Sequence, residues 1–324
     1  MSEAKTNIVI PSWNGRDFTE TALNRLRDTI DTPYYLTVVD NSSSDGTQEF
    51  LENFKPSVSC LGYTAIFNTT NLGPGGAYQQ GYKKSVELQV AYTVLSNNDV
   101  YYPAGWLEQL ETAMDDNSDI GILGTLQPVS RVRHPMSSRN AKQELQMLAS
   151  NVSIADELAA YFRGYSFDEG ARMMVEVNNG GLHDIQSPPD AIPTSCAIVN
   201  NSAAEKVGHV ADPRFEIYGS EDIDLSWSLG KLGYRCAVLN DLYVHHFRHR
   251  SSNSSGLDFK ACLKINNRKF VRKWYYEIDS ILADSETRVK FTSSDEQDEL
   301  TKLRRMNEKI GFFVDGQMTP RDSI

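Results

Sequence analysis

Over the first 125 or so residues, short apolar runs alternate with amphipathic segments, and each apolar run closes on polar or glycine-rich residues. Asn7-Ile8-Val9-Ile10 reads as a buried strand ending at Pro11-Ser12-Trp13-Asn14-Gly15. The next segment predicts a helix with Asp17-x-x-Glu20 as capping box and Leu23, Leu26 and Ile30 inward. Tyr35 to Val39 reads as a second strand, ending on Asp40-Asn41-Ser42-Ser43-Ser44-Asp45-Gly46-Thr47 before a helix that turns Phe50, Leu51 and Phe54 inward. Thr64 to Phe67 leads to Asn71-Leu72-Gly73-Pro74-Gly75-Gly76 and a helix reaching about Val86. Tyr92 to Leu95 ends on Ser96-Asn97-Asn98-Asp99-Val100, followed by a helix opened by Pro103 with Trp106, Leu107, Leu110 and Met114 on one face. Strands alternating with helices imply an α/β fold with a mixed, mainly parallel sheet flanked by helices. The polar ends of the four strands then face one crevice, which is where open α/β sheets bind ligands.

Composition narrows the ligand. A net charge of -11 over 324 residues argues against general nucleic-acid binding, which rests on Lys and Arg neutralising phosphates. Cys60, Cys196, Cys236 and Cys262 lie far apart, so neither a zinc site nor a disulfide framework is expected. No run approaches the roughly 18 apolar residues of a membrane span, and no signal-peptide core opens the chain, so a cytoplasmic protein is expected.

The pattern loosens between about 128 and 190, which reads as an insertion with a helix-prone segment from Ala141 to Phe162. Regular structure resumes with the strand Thr194 to Val199. The expected organisation is a domain over 1–256, divided into halves at 127/128, and a helical C-terminal extension over 257–324. In the extension, Phe270, Val271, Trp274 and Tyr275 offer an apolar face beside Lys269, Arg272 and Lys273; it can pack on the core, form a homodimer or touch a membrane surface, and packing is the default.

Three constellations carry chemistry. Asn97-Asn98-Asp99 places amide and carboxylate oxygens at a strand end, a set that suits a hard divalent cation beside a substrate phosphate; the bland alternative is an Asn-rich turn. Asp40 ends its strand where a carboxylate can accept from a nucleobase or ribose, while Asp45 reads as a helix cap. The glycines from Gly73 to Gly81 lack the dinucleotide spacing, and serve either close approach of a nucleotide or helix packing.

In Tyr218-Gly219-Ser220-Glu221-Asp222-Ile223-Asp224-Leu225, Ser220 reads as an N-cap with Leu225, Leu229 and Leu232 recurring on one helix face until Gly233. Glu221 and Asp222 fall in the first turn, where they serve either the helix dipole or general-base catalysis. Tyr243-Val244-His245-His246-Phe247-Arg248-His249-Arg250-Ser251-Ser252 follows a short apolar strand and combines imidazoles with phosphate-binding side chains; alternation lets only one of His245 and His246 reach the site.

Read in order, Ile8 to Asn14, Val38 to Thr47, Asn71-Leu72-Gly73, Asn97-Asn98-Asp99, Glu221 to Leu225 and the His246 segment resemble the family 2 glycosyltransferases, inverting enzymes of the GT-A (Rossmann-like) fold, over roughly residues 5 to 255, and within them a rhamnosyltransferase-like subgroup. The resemblance implies that Pro11, Trp13, Asn14, Asp40, Asn71 and Gly73 line the nucleotide-sugar pocket, with Asn97, Asn98 and Arg248 towards the diphosphate. It places Asp99 and His246, or alternatively His245, on Mn²⁺ or Mg²⁺, and makes Asp222, beside Glu221, the general base. Asn97 departs from the family's usual aspartate and supplies oxygen without charge.

The implied activity is metal-dependent inverting transfer of a sugar from a UDP- or dTDP-sugar to an acceptor hydroxyl on a saccharide, a lipid-linked saccharide or a metabolite. The implied location is cytoplasmic, with peripheral contact at the inner membrane face as an option. Two rivals remain. A sugar-1-phosphate nucleotidyltransferase would want an early glycine-rich phosphate loop with a basic residue, where this chain has Pro-Ser-Trp-Asn-Gly. A non-catalytic nucleotide-sugar- or carbohydrate-binding protein would have no need of both Asp99 and Asp222.

Overall fold

The computed structural model describes residues 3–129, 131–148, 152–188, 190–247 and 259–283. The chain opens with β1 (Thr6–Ser12), α1 (Arg16–Thr29), β2 (Tyr34–Asp40), α2 (Thr47–Asn53), β3 (Cys60–Phe67), α3 (Gly73–Glu87) and β4 (Tyr92–Ser96). A two-residue β5 (Val100–Tyr101), then α4 (Trp106–Asp116) and β6 (Ile120–Leu126), complete the first half. Next come α5 (Ala141–Met147), α6 (Ile154–Tyr161), α7 (Phe167–Val177) and β7 (Leu182–Ile185). They are followed by β8 (Cys196–Asn200), α8 (Asn201–Val207), α9 (Glu221–Lys231), β9 (Arg235–Tyr243) and β10 (His245–His246). Two helices, α10 (Phe259–Lys273) and α11 (Tyr275–Ala283), end the described chain.

Among the described residues, eight strands form one sheet in the order β3-β2-β1-β4-β8-β6-β9-β7. β1 pairs in parallel with β2 and β4, β2 with β3, and β6 with β9. β8 runs antiparallel between β4 and β6, and β7 runs antiparallel on the edge of β9. The ends of β1, β2, β4, β6 and β9 therefore open on one edge.

The two-residue period of the strands divides the core between the sheet's faces. Ile8, Ile10, Val38 and Val94 pack with Leu23 and Leu26 of α1 and with Trp106, Leu107 and Leu110 of α4. Val9, Leu95, Val199 and Val238 point the other way, onto Tyr78 and Tyr82 of α3 and Leu225 and Leu229 of α9. The segment between β6 and β8 has its own cluster, in which Val129, Val132, Leu145, Phe162 and Met174 pack on Leu126 and Tyr243 at the ends of β6 and β9. The apolar face of the C-terminal helices meets protein: Phe270, Val271, Trp274 and Ile278 pack against Phe215, Ile223 and Trp227. No helix among the described residues is long and apolar enough to cross a membrane.

Four local expectations change. Helix α1 is capped from outside: Gly15 takes the N-cap position at φ 69° with no side-chain cap, and the Arg16 N–H donates to Asp45 of the following loop, 2.9 Å away. Asp17-x-x-Glu20 therefore forms no capping box, and Glu20 pairs instead with Arg16. Helix α4 starts at Trp106 after Gly105, three residues beyond Pro103. The segment 141–162 is two helices, because Ser153 accepts from the Asp156 N–H and starts α6 afresh. Leu232 is half exposed at the end of α9, outside the stripe of Leu225 and Leu229.

Helix α3 lies against β1 through Gly81, where an added Cβ would sit 2.1 Å from Val9 Cγ1. Overpacking of this kind costs about 1–3 kcal/mol, more than the roughly 1 kcal/mol that alanine gains over glycine in a helix. Gly81→Ala should therefore lower the urea midpoint, and adding Val9→Ala should recover part of the loss. Equal or higher stability for Gly81→Ala would show that α3 does not bear on β1 here.

Candidate active site

The turn after β4 is buried, so each of its polar side chains must find a partner inside the protein. Asn98 is 6% exposed and donates to Thr19 Oγ1 of α1 at 2.9 Å. The Asn97 N–H donates to the Ser195 carbonyl just ahead of β8, and its side-chain Oδ1 lies 2.8 Å from the Tyr78 hydroxyl of α3. Asp99 is 3% exposed, with Oδ1 3.1 Å from His246 Nε2. The short ladder between β5 and β10 makes that last contact, pairing His246 with Val100 and His245 with Tyr101.

The alternation that lets one histidine reach the site selects His246. His245 points into the protein, fully buried, its Nδ1 3.0 Å from the Tyr243 hydroxyl and its ring against Tyr161. Burial lowers its pKa to about 3 and keeps it neutral. His246 Nε2 also lies 3.1 Å from the Asn97 amide, so a carboxylate, an imidazole and an amide converge on one point. The Tyr78 hydroxyl also faces the Thr194 carbonyl, 2.9 Å away, which can only accept. One hydroxyl hydrogen cannot serve two acceptors; exchanging the near-isosteric N and O of the Asn97 amide satisfies both and turns its oxygen towards His246.

The loops after β1 and β2 are tied together. The Asn14 N–H donates to Ser43 Oγ and Asn14 Oδ1 accepts from the Ser44 N–H. Asp40, fully buried, accepts from the Ser43 N–H and from Gln48 through Oδ2, while its Oδ1 has no hydrogen-bond partner among the described residues. Pro11 is buried within β1 and Trp13 half-buried beyond its end. Asn71 Oδ1 accepts from the Gly73 N–H, holding the start of α3, so its oxygen is committed to the turn. Arg248 lies outside the described residues.

Gly73 brings the acid pair to this edge. At φ 73° it packs on the loop before α9 so closely that a Cβ would lie 1.8 Å from the Ile217 carbonyl oxygen, and Asn41 of the β2 loop holds the Gly73 carbonyl at 3.0 Å. A Cβ on Gly75 would touch Glu221. Ser220 is no N-cap by its side chain: it stands at φ 75° with its hydroxyl buried and unpartnered among the described residues. Asp222 Oδ1 instead accepts from the Ile223 N–H at 2.8 Å.

Desolvation raises the pKa of both Glu221 and Asp222, and the adjacent Asp222 charge raises Glu221 further. The Tyr78 hydroxyl, raised well above its usual range chiefly by burial, also feels the Glu221 charge. Helix α3 thus touches both groups, the acid pair at Gly75 and the Asn97 amide at Tyr78. Sequence reasoning missed Tyr78, Thr19 and Ser195; only the placement of Tyr78 one turn into a glycine-led helix at the crevice hints at its role.

A carboxyl whose folded pKa is raised holds more protons folded than unfolded between its two pKa values, so stability falls as pH rises through that window. Asp222→Asn should therefore be more stable than the parent protein near pH 7, by on the order of 1 kcal/mol after allowing for partial exposure. The gap should close towards pH 4. Denaturant melts across this range test it, and a gap independent of pH would remove desolvation as the cause.

The model of glycosyl transferase family 2 matches residues 7–170. The mannosyltransferase PcManGT from Pyrobaculum calidifontis, solved with GDP-Man and Mn²⁺, has a TM-score of 0.55 at 13% identity over 96% of this chain and 75% of its own. S. aureus TarS has a TM-score of 0.51 at 14% identity over 94% of this chain and 49% of its own. GalNAc-T7, solved with UDP, GalNAc and Mn²⁺, has a TM-score of 0.50 at 12% identity over 75% of this chain and 43% of its own. No curated protein matches. Such low identities speak for the fold, and the mixed sheet flanked by helices is the GT-A arrangement that the sequence motifs imply. With half of its length matched by the family model, the chain belongs to glycosyl transferase family 2 and is a glycosyltransferase.

Proposed function

We propose that the protein is an inverting, metal-dependent transferase that moves a hexosyl or deoxyhexosyl unit from a UDP- or dTDP-sugar to an acceptor hydroxyl. One observation carries this reading: α3 meets both groups, Gly75 lying against Glu221 of the acid pair and Tyr78 against the Asn97 amide beside Asp99 and His246, so both stand at one sheet edge. The nucleotide would lie over the loops after β1 and β2, between Trp13, Asn14 and Asp40. The unpartnered Oδ1 of Asp40 suits a ribose hydroxyl or a base N–H.

The donor set fits a hard cation of borderline taste. Asp99 and His246 would hold Mn²⁺ or Mg²⁺, with the Asn97 amide oxygen beside them. When bound, the ion supplies positive charge to the donor's diphosphate.

Asp222 takes the acceptor's hydroxyl proton as that oxygen bonds to the anomeric carbon. The bond from that carbon to the diphosphate breaks on the opposite face, and its electron pair leaves with the nucleotide. The raised pKa of Asp222 makes it a better proton acceptor than an exposed aspartate. The acceptor would approach from the insertion, where a 390 Å³ cavity at the end of β6 is lined by Leu126, Arg131, Arg133, Asn178 and Asn240, polar groups suited to a hydroxyl-rich molecule. A rhamnosyl-type donor follows from the motif resemblance alone.

Asp222→Asn should lose about 10²- to 10⁴-fold in turnover while keeping donor affinity. Turnover at the parent rate would remove Asp222 from the reaction. In a thermal-shift screen of UDP- and dTDP-sugars, the matching donor with Mn²⁺ should stabilise the chelator-treated protein, by about 2.7 kcal/mol at a hundred times Kd. Asp99→Ala should abolish the Mn²⁺-dependent part. A shift that persists in Asp99→Ala would place the metal elsewhere.

A further inference from the structure

The loop that delivers the acid pair is held from a direction the sequence did not suggest. Between Glu216 and Glu221 the backbone takes conformations that side chains disfavour: Ile217 stands at φ 58°, Gly219 at φ 97° and Ser220 at φ 75°. Positive φ at a β-branched residue persists only where the surroundings enforce it. Gly73 presses on this loop from the α3 side. From the other side comes Asn266, in the middle of α10 and fully buried.

The Asn266 side chain reaches four backbone atoms of this loop. Its Nδ2 lies 2.8 Å from the Glu216 carbonyl, 2.9 Å from that of Tyr218 and 3.2 Å from that of Gly219. Its Oδ1 accepts from the Glu216 N–H at 3.1 Å. Three carbonyl oxygens around one atom require a donor there, so the chemistry allows only this orientation of the amide. The helix that carries it cannot easily drift. Phe270 and Trp274 pack on Trp227, the Trp274 indole donates to Asp224 of α9 at 2.8 Å, and Lys273 bridges Asp224 and Asp212, both at 2.7 Å.

We infer that Asn266 is a positioning residue for the general base: through the backbone of residues 216–219 it fixes where the first turn of α9, and with it Asp222, faces the crevice. Helix α10 is then part of the catalytic apparatus. The inference rests on the proposed role of Asp222, and its test keeps the two apart.

Asn266→Ala and the near-isosteric Asn266→Asp are compared with the parent protein and Asp222→Asn. Asn266→Asp keeps the volume but sets oxygen against three carbonyls, so it carries the comparison should Asn266→Ala not fold. Active sites are counted by binding of UDP or dTDP with Mn²⁺, which in the proposed function uses Asp40, Asp99 and His246, none of them on α10 or in the 216–221 loop. Turnover per counted site is read as release of the nucleotide diphosphate from the donor chosen by the screen, and amide exchange is followed over residues 216–221. The expected result is a fall in turnover per site of roughly tenfold to a hundredfold, with donor KM unchanged and faster exchange in the loop.

A merely structural role would lower the number of sites and leave turnover per site alone, and that result overturns the inference. So does parent-like exchange in the loop. Asp222→Asn with parent turnover overturns the base assignment and this inference with it. Loss in Asp222→Asn with parent turnover per site in both Asn266 variants overturns the positioning role only.

Discussion

Everything at the crevice depends on the burial of a polar turn. Three consecutive polar side chains follow β4, and two of them, Asn98 and Asp99, are almost wholly removed from water. A buried polar group without a partner costs on the order of 1–3 kcal/mol, so the turn keeps its shape only if each side chain is met by a different element. Asn98 is met by α1, Asn97 by α3 and Asp99 by β10. Those elements come from distant parts of the chain, and the turn is where they agree on a common geometry. The side chains are held by partners from the fold itself, with no ligand needed to set their places.

Much of the fold was legible in the sequence because it follows from periodicity. Ile8 and Ile10 against Val9, and Leu23 with Leu26, assign themselves to opposite sheet faces or one helix face without tertiary information. The choice between His245 and His246 was legible as an alternation, though which one turned inward needed the β5–β10 ladder. Capping was less legible. Asp17 and Glu20 fit a capping box by spacing, yet a carboxylate one strand away, that of Asp45, supplies the bond. Ser220 has the right residue type for an N-cap, but contacts from α3 and α10 drive its backbone into the left-handed region. Local signals lose wherever a partner from far along the chain competes for the same group, and Tyr78 and Asn266 act only through such partners.

The acid pair illustrates a cost that function imposes. Two adjacent, half-buried carboxyls lose hydration, and the charge of Asp222 acts on Glu221, so the folded state prefers to keep protons on them. The same desolvation prepares a carboxylate to accept a proton near neutral pH. Neighbouring acids have partners that the pair lacks: on the same helix, Asp224 is also raised by burial but pairs with Lys273 and accepts from the Trp274 indole, while Arg214 and Lys273 hold Asp212 well below the usual carboxylate range. The chain thus compensates the acids that join its helices and leaves the pair at the crevice strained.

Asp45 gives the loops after β1 and β2 a shared fate. Its carboxylate receives the Arg16 N–H at the start of α1 and the Thr47 N–H and hydroxyl at the start of α2, while Asn14 stitches the same loops together a few residues away. Neither loop can breathe, lengthen or be redesigned alone, since moving one strips hydrogen-bond acceptors from the helix behind the other. Evolution of donor preference in such a scaffold would have to proceed by paired changes, or by side chains that alter the pocket without touching this knot.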